Sequence, residues 1–250
     1  MTGRLTALVT GGAKRIGAAI VRDLASHGWS VAIHCNSSLA EAKGLAEELV
    51  AAGARAVIVR ADLADARAVA RMVPEAAAAL GPLTLLVNNA SVFLRDRFGA
   101  LDLGIWQRQF DINLRAPVFL AEAFAAQLPE NSEGNIVNMI DQRVLKLTPV
   151  MPSYTLTKAA LWAATQTMAQ ALAQRIRVNG IGPGPTYPNV YSKDPSMTKE
   201  VAGLPLQRPV DPADFGRTIR FIVDTPSMTG QLLLLDSGQH ITWKTRDVVD

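Results

Sequence analysis

The chain is poor in the residues on which several classes of protein depend. Its 250 residues contain one cysteine, Cys35, which excludes an intrachain disulfide and a cysteine-rich metal site. Aromatic residues make up 6% of the chain, and no apolar run reaches the roughly 18 residues of a membrane span. A signal-peptide cleavage region and a Lys/Arg block are both missing. We expect a soluble cytoplasmic protein whose partners include neither nucleic acid nor membrane.

Short apolar runs alternate with longer segments of helical period along the chain. The predicted strands are Leu5–Thr10, Ser30–His34, Arg55–Arg60, Leu83–Asn88, Asn135–Ile140, Arg177–Ile181 and Gln231–Leu235. The predicted helices are Ile16–His27, Ala40–Ala52, Ala66–Leu80, Leu103–Leu128, Ser153–Gln174 and Pro212–Val223. This alternation predicts an α/β, doubly wound Rossmann fold with a seven-stranded parallel sheet and helices on both faces. We expect one dinucleotide-binding domain over residues 1–250.

One long irregular segment, residues 182–209, contains six prolines and interrupts the pattern. Loops of this length in a compact domain are usually lids or binding segments, and ligands of open α/β sheets lie beyond the carboxyl ends of the strands. We therefore predict a substrate loop here, with Tyr187 and Leu204 as substrate contacts. A surface excursion that only covers the core is the alternative.

The first strand ends in a glycine-containing turn, Thr10-Gly11-Gly12-Ala13-Lys14-Arg15-Ile16-Gly17, that leads into a helix. Glycines allow the backbone to approach a pyrophosphate, whose charge is favoured by the helix N-terminus. The spacing differs from the general dinucleotide fingerprint, so a purely structural turn is the alternative.

The end of the second strand indicates which cofactor the turn binds. NAD sites carry an acid there that bonds the ribose hydroxyls, but this chain reads Asn36-Ser37-Ser38 with no acid before Glu41. Together with Arg15 and Lys14, these donors favour the 2′-phosphate of NADPH. The neighbouring His34 and Cys35 lack further ligands, so we expect no metal and a buried strand-end histidine.

Tyr154 and Lys158 are four residues apart within a predicted helix, which places both side chains on one face. A free tyrosine has a pKa of about 10. We expect the neighbouring ammonium to lower that pKa toward the operating range, so that Tyr154 can act in proton transfer.

These motifs together resemble the short-chain dehydrogenase/reductase family over nearly the whole chain. Matching residues include Thr10, Gly11, Ile16 and Gly17 of the turn, Asn88-Asn89-Ala90, Asn113, Tyr154 and Lys158. The resemblance implies that Asn89 and Ala90 lie against the cofactor, that Pro183 and Gly184 flank the nicotinamide, and that Asn113 holds a proton-relaying water. Asp62, followed by Leu63, would bond the adenine. For Asn113 the alternative is an amide that satisfies local backbone, and for Asp62 it is a helix N-cap.

Asp141 stands thirteen residues before Tyr154, where the family usually has a serine. A carboxyl can protonate a ring nitrogen or accept a hydrogen bond from its N–H, which a serine does less readily. Arg15, Asp141 and the segment Asn88-Asn89-Ala90-Ser91-Val92-Phe93 resemble the pteridine reductase branch. In that branch, Phe93 would stack a pterin ring against the nicotinamide and Ser91 would bond cofactor or substrate. Ordinary packing is the alternative for Phe93.

The expected activity is NADPH-dependent hydride transfer to a dihydropterin or dihydrofolate-like ring, with Asp141, Tyr154, Lys158 and Asn113 as catalytic residues. Alternatives are a reductase of 3-oxoacyl thioesters or other ketones, and a non-catalytic NADPH-binding regulator. The resemblance also implies a homotetramer.

Overall fold

The computed structural model describes residues 5–189, 191 and 196–243. Seven strands form one parallel sheet in the order β3-β2-β1-β4-β5-β6-β7. They are β1 Thr6–Val9, β2 Ser30–Cys35, β3 Ala56–Arg60, β4 Leu85–Asn88, β5 Gly134–Met139, β6 Ile176–Pro183 and β7 Leu232–Leu235. The order reverses between β1 and β4, which is where open α/β sheets bind ligands. The predicted fold class is confirmed.

Helices cover both faces of the sheet. They are α1 Arg15–Ser26, α2 Leu39–Ala51, α3 Ala66–Leu80, α4 Leu103–Phe110, α5 Ala116–Gln127, α6 Pro152–Leu172, α7 Thr198–Ala202 and α8 Ala213–Asp224. Residues of α1, α2 and α8 pack into one buried apolar cluster, and residues of α3 and α5 pack into another on the opposite face. None of the helices in the described part of the chain is long and apolar enough to cross a membrane.

The predicted helix Leu103–Leu128 is divided into α4 and α5 by a π-helical turn, Asp111–Arg115. Pro117 accounts for the break, because it has no N–H to bond the carbonyl of Asn113 four residues earlier. The turn carries Asn113 inward, where it is fully buried.

The segment 182–209 is less irregular than its prolines indicate. β6 continues through Pro183, and α7 lies within the segment. The register of β6 with β7 explains the extension, since Gly182 and Pro183 pair with Leu234 and Leu235. Residues 190 and 192–195 of the predicted loop lie outside the described residues.

Candidate active site

The turn after β1 is so tight that two of its positions require glycine. Gly11 has φ +61°, and a Cβ on Gly17 would lie 2.1 Å from the Gly11 carbonyl oxygen. Asn89 closes the turn from β4 by donating from Nδ2 to the carbonyls of Thr10 (2.8 Å) and Gly11 (3.2 Å). The Thr10 hydroxyl in turn accepts from the backbone N–H groups of Asn89 and Ala90, both at 2.9 Å. The two predicted segments therefore form one backbone surface at the sheet's switch point.

His34 supports this turn from β2. Its Nδ1 accepts from the Gly11 N–H at 3.0 Å, and its Nε2 lies 3.1 Å from the Ala61 carbonyl, to which it donates. Burial lowers the pKa of His34 to about 4, so the imidazole is neutral. The buried strand-end histidine is confirmed, but its bond to the turn has no signal in the local sequence. Among the described residues, no three His, Cys, Asp or Glu side chains are arranged to hold a metal ion.

The basic residues of the turn are already engaged. The guanidinium of Arg15 donates from both Nη1 and Nη2 to the Pro188 carbonyl at 3.2 Å and lies 5.0 Å from the Tyr187 ring centroid. Lys14 forms a 2.5 Å ion pair with Glu41, in the first turn of α2. Arg15 therefore joins the phosphate turn to the predicted substrate loop, a contact that local sequence does not indicate.

The carboxyl ends of β2 and β3 lie side by side, and Cys35 pairs with Arg60 there. The predicted cofactor residues Asn36, Ser37 and Ser38 follow β2 directly, and Arg60 donates from Nε to the Asn36 carbonyl at 3.3 Å. Arg60 is a basic group at this edge that the sequence reasoning missed. Only the strand register brings it to the end of β2.

The N-cap alternative for Asp62 is wrong, because Asp65 caps α3 by accepting from the N–H groups of Arg67 and Ala68. Asp62 instead accepts from the Ala64 N–H at 3.0 Å and lies 3.7 Å from the guanidinium of Arg108. Leu63 is buried, with 4% of its surface exposed. Contact of Asp62 and Leu63 with the adenine remains a prediction.

Asp141 and Tyr154 meet where β5 ends and α6 begins. The Tyr154 hydroxyl donates to Asp141 Oδ2 at 2.9 Å, and the Arg143 backbone N–H donates to Asp141 Oδ1 at 2.8 Å. Lys158 lies one turn further along α6, where its Nζ donates to the Met139 carbonyl at 2.7 Å and lies 5.8 Å from the Tyr154 ring centroid. Tyr154 and Lys158 are both buried. The structure thus brings the predicted acid, phenol and amine together.

The expectation that Lys158 lowers the pKa of Tyr154 is wrong for this structure. Burial of the phenol, followed by the charge and hydrogen bond of Asp141, raises the pKa of Tyr154 well above its usual value. Burial also lowers the pKa of Lys158 to about 8, which weakens the ammonium as a source of positive charge. Tyr154 therefore keeps its proton throughout the neutral range, as a proton donor must.

Asn113 holds the segment after β4 that leads to Phe93. Its Oδ1 accepts from the Val92 N–H (2.8 Å) and the Ser91 hydroxyl (3.1 Å), and its Nδ2 donates to the Val92 carbonyl at 2.9 Å. Nδ2 also lies 3.3 Å from the Thr157 hydroxyl oxygen in α6. The amide does satisfy backbone, as the alternative proposed, but this backbone lies 21 residues away. Its role in holding a water remains a prediction.

Phe93 packs against Tyr154 rather than in either of the two buried apolar clusters. Its ring lies 4.6 Å from the Tyr154 ring at 77°, and 6.4 Å from the ring of Tyr191. The guanidinium of Arg143 lies 5.5 Å from the Phe93 centroid and 5.7 Å from that of Tyr154. Arg143 was missed by the sequence reasoning, because nothing in its spacing from Asp141 indicates that it turns toward these rings.

The remaining predicted residues lie at the ends of β6 and β7 and in the loop beyond. Pro183 closes β6, and the Gly184 N–H donates to the Leu235 carbonyl at 2.8 Å. A Cβ on Gly184 would lie 2.6 Å from the Cα of Asp236, so only glycine fits there. Leu204 is buried just after α7. Its contact with substrate, and that of Tyr187, remain predictions.

The fold and the site together are those of a short-chain dehydrogenase. The chain belongs to this family, because the family's sequence model, described as short chain dehydrogenase, matches residues 5–198. The structure is similar to that of FolM alternative dihydrofolate reductase 1 from Brucella canis complexed with NADP, with 51% sequence identity, 100% of this chain and 99% of that chain covered, and a TM-score of 0.96. FolM alternative dihydrofolate reductase 1 from Brucella suis, in complex with NADP, is also 51% identical, with 98% of this chain and 99% of that chain covered and a TM-score of 0.92. Among curated relatives, 3-oxoacyl-(acyl-carrier-protein) reductase FabG of Staphylococcus aureus is 28% identical over 241 residues, which cover 94% of this chain and 98% of the relative.

Proposed function

We propose that the chain is an NADPH-dependent reductase of a dihydropterin or dihydrofolate-like ring. The observation that carries this proposal is the hydrogen bond from the hydroxyl of the buried Tyr154 to the half-buried Asp141. A carboxyl in this position can exchange a proton with a ring nitrogen, and the neighbouring Phe93 offers an aromatic face to a planar heterocycle. The similarity to two FolM alternative dihydrofolate reductases supports the same substrate class.

The residues at the switch point fit a dinucleotide. Gly11 and Gly17 expose the backbone of the turn at two positions, and the first turn of α1 carries no acidic residue to oppose a phosphate. Asn89, Ala90, Pro183 and Gly184 would hold the nicotinamide half. The two FolM structures, each complexed with NADP, support the phosphorylated cofactor. Bound NADPH supplies the hydride.

The protein's own groups handle the proton. Tyr154 donates the proton to the nitrogen of the ring C=N bond as the adjacent carbon receives hydride. Asp141 holds the Tyr154 hydroxyl in place by accepting its hydrogen bond. Because the pKa of Tyr154 is raised, the phenol is protonated at neutral pH, which favours reduction. Lys158, buried and hydrogen-bonded to the Met139 carbonyl, would hold the cofactor ribose.

A substrate panel tests the proposal. NADPH oxidation is followed with 7,8-dihydrofolate, a 7,8-dihydropterin and a 3-oxoacyl thioester. We expect turnover of the two pteridines, a loss of about 10²- to 10⁴-fold for Tyr154→Phe, and a loss of pteridine turnover for Asp141→Ser. Turnover of the thioester alone would support the ketone reductase, which the similarity to FabG favours. NADPH binding without turnover of any substrate would support a regulator.

We further propose a single domain, from the chain length, and a cytoplasmic location, from the lack of a recognisable signal peptide or membrane span. The family resemblance supports a homotetramer. Light scattering of the eluting protein would test the oligomer, since each chain has a mass of 26.8 kDa.

A further inference from the structure

The rings of Phe93 and Tyr154 form what we call the ring slot, and Arg143 lies beside both rings without an acidic side-chain partner among the described residues. Its Nη1 donates to the Val150 carbonyl at 2.8 Å and lies 3.3 Å from the Thr148 hydroxyl, while its planar group lies over the rings of Phe93 and Tyr154. No carboxylate of the described residues lies within ion-pair distance of it. Stacking on aromatic rings orients a guanidinium while leaving its other N–H groups available to a bidentate anion.

Arg95 repeats this arrangement at the neighbouring ring of Tyr191. Its guanidinium lies 4.5 Å from the Tyr191 ring centroid and donates to the Tyr191 carbonyl at 3.4 Å. Tyr191 is in turn 6.4 Å from Phe93. Like Arg143, Arg95 has no ion-pair partner among the described residues. Two guanidinium groups therefore lie beside these aromatic rings without a carboxylate partner in the part of the chain that the structure describes.

A side cavity of about 580 Å³ adjoins this arrangement. It lies between the segments 95–100 and 149–151 and is lined by Arg95, Asp96, Arg97, Ala100, Pro149, Val150 and Met151. Its volume falls within the range of small-molecule sites. Val150 links it to Arg143, and Arg95 links it to Tyr191.

The cavity lining carries two arginines and one acid. Asp96 uses Oδ2 to accept from the Ser153 N–H at 3.1 Å, and its Oδ1 is buried without a partner. The lining therefore keeps one net positive charge, and Arg143 adds a second at the junction with the slot. Asp96 is also an acceptor that an amide or amine N–H on a bound molecule would satisfy.

We propose that Arg143, Arg95 and Arg97 form a carboxylate subsite beside the ring slot, which binds an acidic side chain carried by the substrate. This inference rests on the proposed function, since it assigns the ring of the substrate to the slot at Phe93. It narrows the substrate class to pteridines with an extended anionic tail, such as dihydrofolate, in preference to compact dihydropterins.

The test compares substrates that differ only in the tail. The series is a tail-free 7,8-dihydropterin, dihydropteroate with one aryl carboxylate, and dihydrofolate with its glutamate carboxylates. We expect Arg143→Gln and Arg95→Gln each to lower kcat/KM for dihydrofolate, relative to the tail-free pterin, by about tenfold through KM, the size of one charge-assisted contact. Arg55→Gln is the matched control, because it removes the same charge from an exposed position just before β3, at the opposite edge of the sheet.

The outcomes separate the subsite from the activity. Equal losses for all three substrates would mean that Arg143 acts on Tyr154 and would overturn the subsite, as would an unchanged ratio in both variants. If the wild-type protein reduces no pteridine, the proposed function fails, and calorimetric titration of the NADP⁺-bound protein with folate and pterin decides the subsite alone. Weaker folate binding in Arg95→Gln, with pterin binding unchanged, would then support it, and equal folate binding in the variant and wild type would overturn it.

Discussion

The candidate site has two halves, one for the cofactor and one for the substrate, and they are formed by different kinds of chemical group. The cofactor half is backbone: the turn at Gly11 and Gly17 is closed by amide and hydroxyl groups and by a neutral imidazole. The substrate half consists of ionisable side chains: Asp141 is hydrogen-bonded to Tyr154, and the Lys158 Nζ lies 5.8 Å from the Tyr154 ring centroid. The backbone of the turn leaves no room for a side chain at Gly17, whereas a single substitution in the substrate half can change the pKa of its neighbours. Under the proposed function, Asp141 changes the substrate class while the turn still fits the family.

The largest effect is expected where the cofactor half would have to accept a side chain. In Gly17→Ala the new Cβ lies 2.1 Å from the Gly11 carbonyl oxygen and 2.7 Å from Asn89 Nδ2, so the backbone of the turn must move. We expect the Kd for NADPH, measured by fluorescence titration, to rise by more than about 100-fold, equivalent to about 3 kcal/mol.

Gly44→Ala is the control for that substitution, because it lies in α2 with open space around it. There alanine should stabilise the helix by up to about 1 kcal/mol. Wild-type NADPH affinity in Gly17→Ala would show that the turn yields more easily than its geometry implies.

The next effect concerns how the turn responds to acid. The folded state lowers the pKa of His34 to about 4, below the unfolded value of about 6.5. The unfolded chain therefore binds more protons between these values, and stability rises with pH. His34 contributes fully above about pH 6.5, and roughly 3 kcal/mol is lost as the pH falls to about 4.

Urea unfolding of the wild type, His34→Gln and His27→Gln across this range isolates the contribution of His34. His27 is the control because it is exposed at the end of α1. His34→Gln should be less stable at pH 7 and should lose part of the acid dependence, whereas His27→Gln should retain it. Identical acid dependence in all three proteins would contradict the proposed role of His34.

A third prediction concerns the substrate half. Asp141→Asn keeps the shape of the side chain but removes the charge that raises the pKa of Tyr154. The phenol should then lose its proton at lower pH, so the alkaline limb of the kcat profile for reduction should move to lower pH, and kcat should fall by about tenfold. An unmoved limb with reduced kcat would mean that Asp141 only positions the substrate.

The same division determines what could be predicted from the sequence. Buried apolar runs separated by helical periods identify the sheet, because their signal is local, and Tyr154 and Lys158 share a helix face by spacing alone. The π-helical turn depends on Pro117 and the buried position of Asn113 together. His34, Arg60 and Arg143 act across strands or loops, and their contacts depend on register and loop path. The contact of Arg15 with Pro188 spans 173 residues and has no local signature.

The smallest expected effect is on the preference for NADPH over NADH. It concerns the outer edge of the cofactor half, where exposed basic side chains adjoin the backbone of the turn. Both Nη atoms of Arg15 donate to the Pro188 carbonyl, and Lys14 is paired with Glu41. Arg60 uses only its Nε for the Asn36 carbonyl, so its Nη groups can meet a 2′-phosphate. Arg60→Gln should lower the ratio of kcat/KM for NADPH to that for NADH by about fivefold, or roughly 1 kcal/mol, because an exposed charge is screened by solvent. Arg71→Gln, exposed on α3, should leave the ratio unchanged. If this ratio fell with Arg15→Gln but not with Arg60→Gln, Arg15 of the turn would be the residue that binds the 2′-phosphate. Arg15 would then have to release Pro188 when the cofactor binds.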